Sequence, residues 1–303
     1  MDKKPQEQRE SATTSPQASR TALWTTICRA MAHMETDPLR RGPDDLAALF
    51  IPPVKRFLLK LAFIRRRIHK KLTPGVYAYL MARTRHYDAL FAQALDARLP
   101  QIVILGAGYD TRALRFGDHL GSTRVFEVDQ PATQAGKLEA LRRACRVPPE
   151  RLCFVPVDLR AELLHGALEN AGYDAALDTL FLWEGVTMYL PRGAVEATLA
   201  VIRRYAGAKS TVAFDYFFKS VVEGRSHDYG AREQYEAVRS VGEPFKFGIE
   251  AGGIDAFLDQ NGFQVLSHYD PDAFEEAYLC DAEGVRLAKL YRCAGNVHAE
   301  KRT

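Results

Sequence analysis

The chain has 303 residues, is 47% hydrophobic and carries a formal charge of only +3. That length suits one large α/β domain or two small ones with a substantial core, and the near-neutral balance argues against nucleic acid, which needs a concentrated basic face. Five cysteines, Cys28, Cys145, Cys153, Cys280 and Cys293, are scattered and form no CxxC pair, which points to a reduced, cytoplasmic setting and away from a zinc site.

No run of roughly eighteen apolar residues is present to span a membrane. Residues 1–20 have no apolar secretory core and read as a disordered tail rich in Gln, Ser, Thr and Pro. Residues 21–34 have helical apolar spacing, closed by Pro38 and the Arg-Arg-Gly-Pro cluster at 40–43. The stretch 54–71, VKRFLLKLAFIRRRIHKK, predicts one helix with an apolar stripe and basic flanks. Its composition suits a membrane surface, but a helix lying across the domain with its Lys and Arg in water is the simpler reading. After Thr-Pro-Gly at 73–75, a long helix is predicted over 76–99. It carries Arg83, and a guanidinium just ahead of the first strand can fold over a ligand and clamp a carboxylate with two hydrogen bonds.

From residue 101 the rhythm becomes strand, turn, helix. The apolar run at 102–105 predicts a strand buried on both faces. It leads into the bend Gly106-Ala107-Gly108 and a helix start at Asp110-Thr111. Further strands are predicted at 125–128, 152–157, 178–183, 210–214, 263–268 and 288–293. Helices are predicted at 134–145, 161–171, 191–205 and 254–261, and an aromatic, charged insertion at 216–248. Such alternation describes an α/β fold with a mostly parallel sheet, which binds ligands at the carboxyl ends of its strands.

Three of those ends are acidic in succession: Asp129, Asp158 and Glu184. A lone carboxylate there is often a helix cap; a series suggests a nucleoside. Asp129 suits a ribose diol, Asp158 an exocyclic adenine amine, and Glu184 an aminoacyl end or a sulfonium. A dinucleotide fingerprint would need a third glycine where the chain has Thr111, and Asp110 would repel a pyrophosphate. Both observations favour S-adenosyl-L-methionine over NAD. Tyr189, after the fourth strand, could orient an acceptor through its hydroxyl or be a core tyrosine. Phe245 and Phe247 could wall the acceptor site or be plain core.

The blocks VILGAGYDTRALRF, VFEVDQPATQAGK, FVPVDLR and LWEGVTMYLP, with ARTRHYD before them and GEPFKFGIE after, resemble the leucine carboxyl methyltransferase-like family, in particular its bacterial O-methyltransferases of secondary metabolism. The resemblance covers most of residues 76–270. It implies a class I methyltransferase, Rossmann-like α/β fold: a mostly parallel seven-stranded sheet with helices on both faces, a helical cap over 21–100 and a core over 101–303. It implies S-adenosyl-L-methionine as cofactor. By that resemblance Arg83 holds the donor carboxylate, Gly106 and Gly108 line its methionine part, Asp129 takes the ribose hydroxyls, Asp158 and Leu159 flank adenine, and Glu184 lies near the aminoacyl end. The chain departs from the branch at Trp183 and Thr187, where Ala and Leu are more usual.

The expected reaction is methyl transfer to a carboxylate or phenol oxygen of a small molecule. A carboxylate, with a reference pKa of roughly 4, needs no general base, whereas a phenol at roughly 10 would benefit from one. Of the eight histidines, only His86 and His227 fall near plausible pocket segments, which tilts the reading toward a carboxylate. A protein C-terminal carboxyl methyltransferase, a nucleotide-binding oxidoreductase and a non-catalytic binding protein are the competing readings. No nucleic acid or membrane partner is expected, and the state expected is monomer or homodimer.

Overall fold

The computed structural model describes residues 20–158 and 164–302. The tail expected at 1–20 (save Arg20), Leu159 and the first residues of the 161–171 helix lie outside the described residues. The strands are β1 Gln101–Leu105, β2 Arg124–Asp129, β3 Leu152–Pro156, β4 Thr179–Trp183, β5 Thr211–Phe218, β6 Gly248–Ile249, β7 Phe263–Tyr269 and β8 Ala294–Lys301. Ahead of the sheet come helices α1 Arg20–His33, α2 Pro53–Leu59, α3 Ala62–His69 and α4 Val76–Asp96. Within it run α5 Arg112–Arg115, α6 Pro131–Arg143, α7 Leu164–Asn170, α8 Arg192–Tyr205, α9 Lys219–Val222, α10 Ala231–Ser240, α11 Ile254–Gln260 and α12 Pro271–Leu279.

The strands form one sheet in the order β3-β2-β1-β4-β5-β8-β7, with β6 pairing β5 off this path. The strands from β3 to β5 run parallel, and β8 is antiparallel to both β5 and β7. Seven strands therefore make the main path, as the sequence leads one to expect, and the two-residue β6 is the eighth. Alternation along β1 explains the layers. Val103 and Leu105 join Phe126, Phe181 and Trp183 under α7, α8 and α11. Ile102 and Ile104 face the other way, against Tyr87, Leu90, Phe91 and Ala94 of α4. The long helix ahead of the sheet is thus part of its core.

Three expectations change and one helix is added. The single helix at 54–71 is two helices, because Leu61 takes an extended conformation. Arg65 stabilises the break by donating Nη1 to the carbonyls of Leu59 and Lys60 at 2.7 and 3.1 Å, oxygens that a helix end leaves unpaired. The last strand is β8, and 288–293 is the loop before it; Leu290, Tyr291 and Cys293 are apolar because they pack beside Tyr79 and Phe274. β5 continues through Asp215 to Phe218, so the insertion starts at α9. Helix α12 had a local signal that periodicity missed: Asp270 caps it, accepting from the Ala273 N–H at 2.9 Å, with Pro271 in the first turn.

Candidate functional site

The bend after β1 brings two of the expected residues into contact. The Gly108 N–H donates to Asp129 Oδ2 at 2.5 Å, and the Gln130 N–H donates to Oδ1 at 2.6 Å. Partial burial pushes the Asp129 carboxyl up from its ordinary value, while those two backbone donors pull it down. Both glycines have positive φ, +67° at Gly106 and +50° at Gly108, which side chains adopt at a cost. They differ in what a side chain would meet. A Cβ on Gly106 would lie 2.5 Å from Val186, whereas a Cβ on Gly108 would meet only the Gly106 carbonyl at 3.9 Å. Gly106 therefore allows the bend to pack against the segment after β4, and Gly108 leaves room beside the Asp129 carboxylate. Asp158, half-buried and engaged with neighbouring groups, follows β3, whose Pro156 is in register with Asp129.

Arg83 and Glu184 also meet. Arg83 Nε lies 2.9 Å from Glu184 Oε1, and its Nη1 lies 2.9 Å from Asp215 Oδ2. The other oxygen of Glu184 is 2.8 Å from Arg112 Nη1. Burial alone would raise the Glu184 carboxyl, but Arg112 and Arg83 hold it below the usual carboxylate range. Glu184 is thus a bridge between two guanidinium groups, one from α4 and one from α5.

The ion pairs continue toward α1 and the Asp44 loop. Arg112 also binds Asp110 at 2.5 Å and Asp88 at 2.9 Å. Arg115 joins Asp88 to Asp44, at 2.7 and 3.7 Å, and Arg29 of α1 closes the series on Asp44 at 3.2 Å. Four arginines thus alternate with five carboxylates, Asp44, Asp88, Asp110, Glu184 and Asp215. Asp110 does not lie free beside the ligand space, as the sequence reading supposed. It is buried, and although burial would raise its carboxyl, Arg112 and Lys137 hold it low. The excess of carboxylates still makes the neighbourhood more hospitable to a cation than to a pyrophosphate.

Asp215 is the site residue that sequence reasoning passed over. It is fully buried and accepts from the Gly185 N–H at 2.6 Å and from the Tyr79 hydroxyl at 3.0 Å. Its signal was present, since it closes the predicted fifth strand as Asp129, Asp158 and Glu184 close theirs. Arg112 had no comparable signal.

Tyr189 is half-buried, with its ring 5.5 Å from Phe245. Burial pushes its phenol well up, so at neutral pH it keeps its proton and can donate a hydrogen bond. Phe245 also packs on Phe217, with centroids 4.2 Å apart, and Phe247 lies in the sheet core against Phe257. The backbone N–H groups of Lys246 and Phe247 donate to the Met188 carbonyl, fixing the far end of the insertion beside Tyr189. Of the two departures, Trp183 is buried in the sheet core and Thr187 donates to the Asp215 carbonyl at 2.5 Å. His86 sits in a box of Tyr87, Tyr269, Phe274 and Tyr278, and His227 is exposed.

Strand order and the glycine bend place this chain in the class I methyltransferase fold. A crystal structure of a provisionally assigned methyltransferase from Thermobifida fusca shares that fold at 12% identity, with a TM-score of 0.59 over 92% of this chain and 94% of that one. A Streptomyces avermitilis protein of the DUF574 family does so at 12% identity and a TM-score of 0.59, over 91% and 97%. The family model for leucine carboxyl methyltransferase matches residues 22–203, and the chain belongs to that family. A relative from Mycolicibacterium paratuberculosis, named provisionally as an S-adenosyl-L-methionine-dependent methyltransferase, is 36% identical over 203 residues, 65% of this chain and 64% of its own. One of the same name from Mycobacteroides abscessus is 32% identical over 224 residues, 73% and 74% of the two chains. The chain spans about 64% of the length of the first two mycobacterial relatives it matches. The cofactor expected from the sequence is the one for which they are named.

Proposed function

We propose that this protein is an S-adenosyl-L-methionine-dependent O-methyltransferase acting on a carboxylate of a small, largely apolar acceptor. One observation carries the reading. A half-buried carboxylate, Asp129, is held on the Gly108 N–H where the absent Cβ leaves open space, at the edge of a buried network in which carboxylates outnumber arginines. A ribose diol fits the first feature and a cationic neighbour the second.

When bound, S-adenosyl-L-methionine supplies an electrophilic methyl group on a sulfonium. Asp129 would accept from the ribose hydroxyls, and Asp158 and Leu159 would flank the adenine. Arg83 would hold the donor carboxylate, with Glu184 and Asp215 fixing its guanidinium. This assigns Glu184 the positioning of Arg83 and Arg112. The Tyr189 hydroxyl would orient the acceptor, and the Phe245 ring beside it would pack on the acceptor's apolar part. His86 is enclosed by aromatic rings and His227 is exposed, so neither is assigned as a general base, which favours an acceptor already ionised at neutral pH.

Calorimetry with S-adenosyl-L-methionine tests the donor site. The wild type should bind, and Asp129→Ala should weaken binding by about 2–3 kcal/mol through loss of two charge-assisted hydrogen bonds. Absence of binding to the wild type would end the proposal. Labelled donor, incubated with the enzyme and a cell extract, should mark a small acidic molecule as a base-labile ester. Label confined to protein would instead support methylation of a protein C-terminal carboxylate.

A further inference from the structure

Helices α2 and α3 turn an apolar stripe away from the protein. Val54, Phe57, Leu58 and Leu61 follow one another at helical spacing and would line a buried seam in an ordinary surface helix. Here they face solvent: Val54 is 73% exposed, Phe57 and Phe63 are each 65% exposed, and Leu58 and Leu61 are also exposed. Within α2 only Leu59 is buried, and α3 has no buried residue. Trp24 of α1, 46% exposed, extends this surface. Between α1 and the α2–α3 pair runs a groove of about 280 Å³ lined by Leu23, Trp24, Ile27, Leu58, Ile64 and Ile68, with Lys55 at its rim.

The charge around the stripe is of one sign. Residues 53–72 hold Lys55, Arg56, Lys60, Arg65, Arg66, Arg67, Lys70 and Lys71 and no acidic residue. These eight cations give the segment +8 and leave the rest of the chain at −5. Among the described residues none of the eight is ion-paired. Exposed apolar patches of this kind mark contact sites. Self-association through this face would bring two such clusters together against their repulsion. The chain's own first 20 residues contain almost no large apolar side chain with which to cover it.

We propose that the α2–α3 face docks on an anionic lipid surface. Phe57, Phe63 and the neighbouring aliphatic side chains enter the headgroup boundary, and the Lys and Arg side chains contact lipid phosphates. Amphipathic segments with Phe and Leu on one side and clustered Lys and Arg on the other bind such surfaces, and tryptophan favours the same boundary. The membrane-surface reading set aside for residues 54–71 on sequence grounds becomes the better one once the stripe is seen facing outward. No helix among the described residues is long and apolar enough to cross a membrane, so the contact is peripheral. The inference is independent of the donor site.

Vesicle co-sedimentation tests it. Vesicles of phosphatidylcholine containing phosphatidylglycerol should pull down the whole protein, and pure phosphatidylcholine should do so at least about tenfold less. Trp24 supplies a spectroscopic readout, because the only other tryptophan, Trp183, is fully buried: its emission should shift to the blue on anionic vesicles. The double variant Phe57→Ser, Phe63→Ser and the triple variant Lys60→Glu, Arg66→Glu, Arg67→Glu should each lose most of the binding while melting at the wild-type temperature. The proposal is overturned if anionic vesicles leave the protein in the supernatant, if neutral vesicles bind it equally, or if both variants bind as the wild type does. A Trp24 shift with poly-glutamate but not with vesicles would reassign the face to an acidic protein. A shift that grows with protein concentration in the absence of lipid would reassign it to a second copy.

Discussion

The two sides of the N-terminal helical region use arginine in opposite ways. On the inner side, Arg29, Arg83 and Arg112 are buried and Arg115 is half-buried, and each touches at least two carboxylates or carbonyls. On the outer side, Arg66 and Arg67 of α3 stand in water, beside apolar side chains that also stand in water. An ion removed from water must be compensated by close partners, so the inner arginines are tied to particular positions and cannot be lost singly. An exposed ion has no such requirement, and its position answers to what the surface meets. The inner network joins α1, the Asp44 loop, α4 and α5 to Glu184 after β4 and Asp215 within β5, and so sets where the helical region sits over the sheet.

The strongest way to break this contrast is Arg112→Ala. It leaves Asp110, Glu184 and Asp88 short of a buried partner, and urea denaturation should show a loss of about 3–5 kcal/mol. A loss below about 1 kcal/mol would mean that water replaces the guanidinium and that the network is not tightly closed.

Acid should act on the inner side in a definite direction. Burial pushes His86 and His298 down to about 4 from an ordinary 6.5. The unfolded chain therefore takes up these protons first, and the stability present above pH 6.5 is lost as the pH falls toward 4. Glu127, paired with Lys137 at 2.5 Å, is pushed up by burial to about 7; its contribution is greatest at low pH and is lost as the pH rises from about 4.5 through 7. The two histidines outweigh it, so net stability should fall on acidification. His86→Phe, which suits the aromatic box, should remove roughly 2–3 kcal/mol of that fall when denaturation at pH 7.5 is compared with pH 4.5.

The two glycines of the bend allow a finer cut. Gly106→Ala combines positive φ with a collision against Val186 and should cost about 2–3 kcal/mol of stability. Gly108→Ala carries the strain alone, about 1 kcal/mol, yet should impair donor binding more than Gly106→Ala does when stability and calorimetry are measured on both. Smallest of all is the outer face: Arg66→Ala or Phe57→Ser should change stability by less than about 0.5 kcal/mol, whatever either does to vesicle binding. A larger change would show that α2–α3 packs on the protein more tightly than its exposure implies.

Much of this arrangement was legible along the chain. Buried parallel strands are continuous apolar runs, so β1 to β4 could be placed within a residue or so, and of the acidic residues at their ends Asp129 meets the glycine bend. Legibility failed where the deciding contact was remote. Leu290 and Tyr291 have the apolar character of a strand but serve a cluster beside α4. Asp215 became part of the site only when β5 lay next to β4 and presented it to the Gly185 N–H. Arg112 was one charged residue among many until α4 brought Asp88 against it.

What the sequence alone determined is whatever depends on neighbours in the chain: strand and helix periods, the glycine bend at Gly106 and Gly108, and the carboxylates Asp129, Asp158 and Glu184 at or just past the ends of β2, β3 and β4. Tertiary structure decided which charges are buried together and which apolar stripe faces outward, because burial depends on residues up to more than a hundred positions apart, as Arg83 is from Asp215. Period tells that a helix has two faces; only the rest of the fold tells which of them it covers.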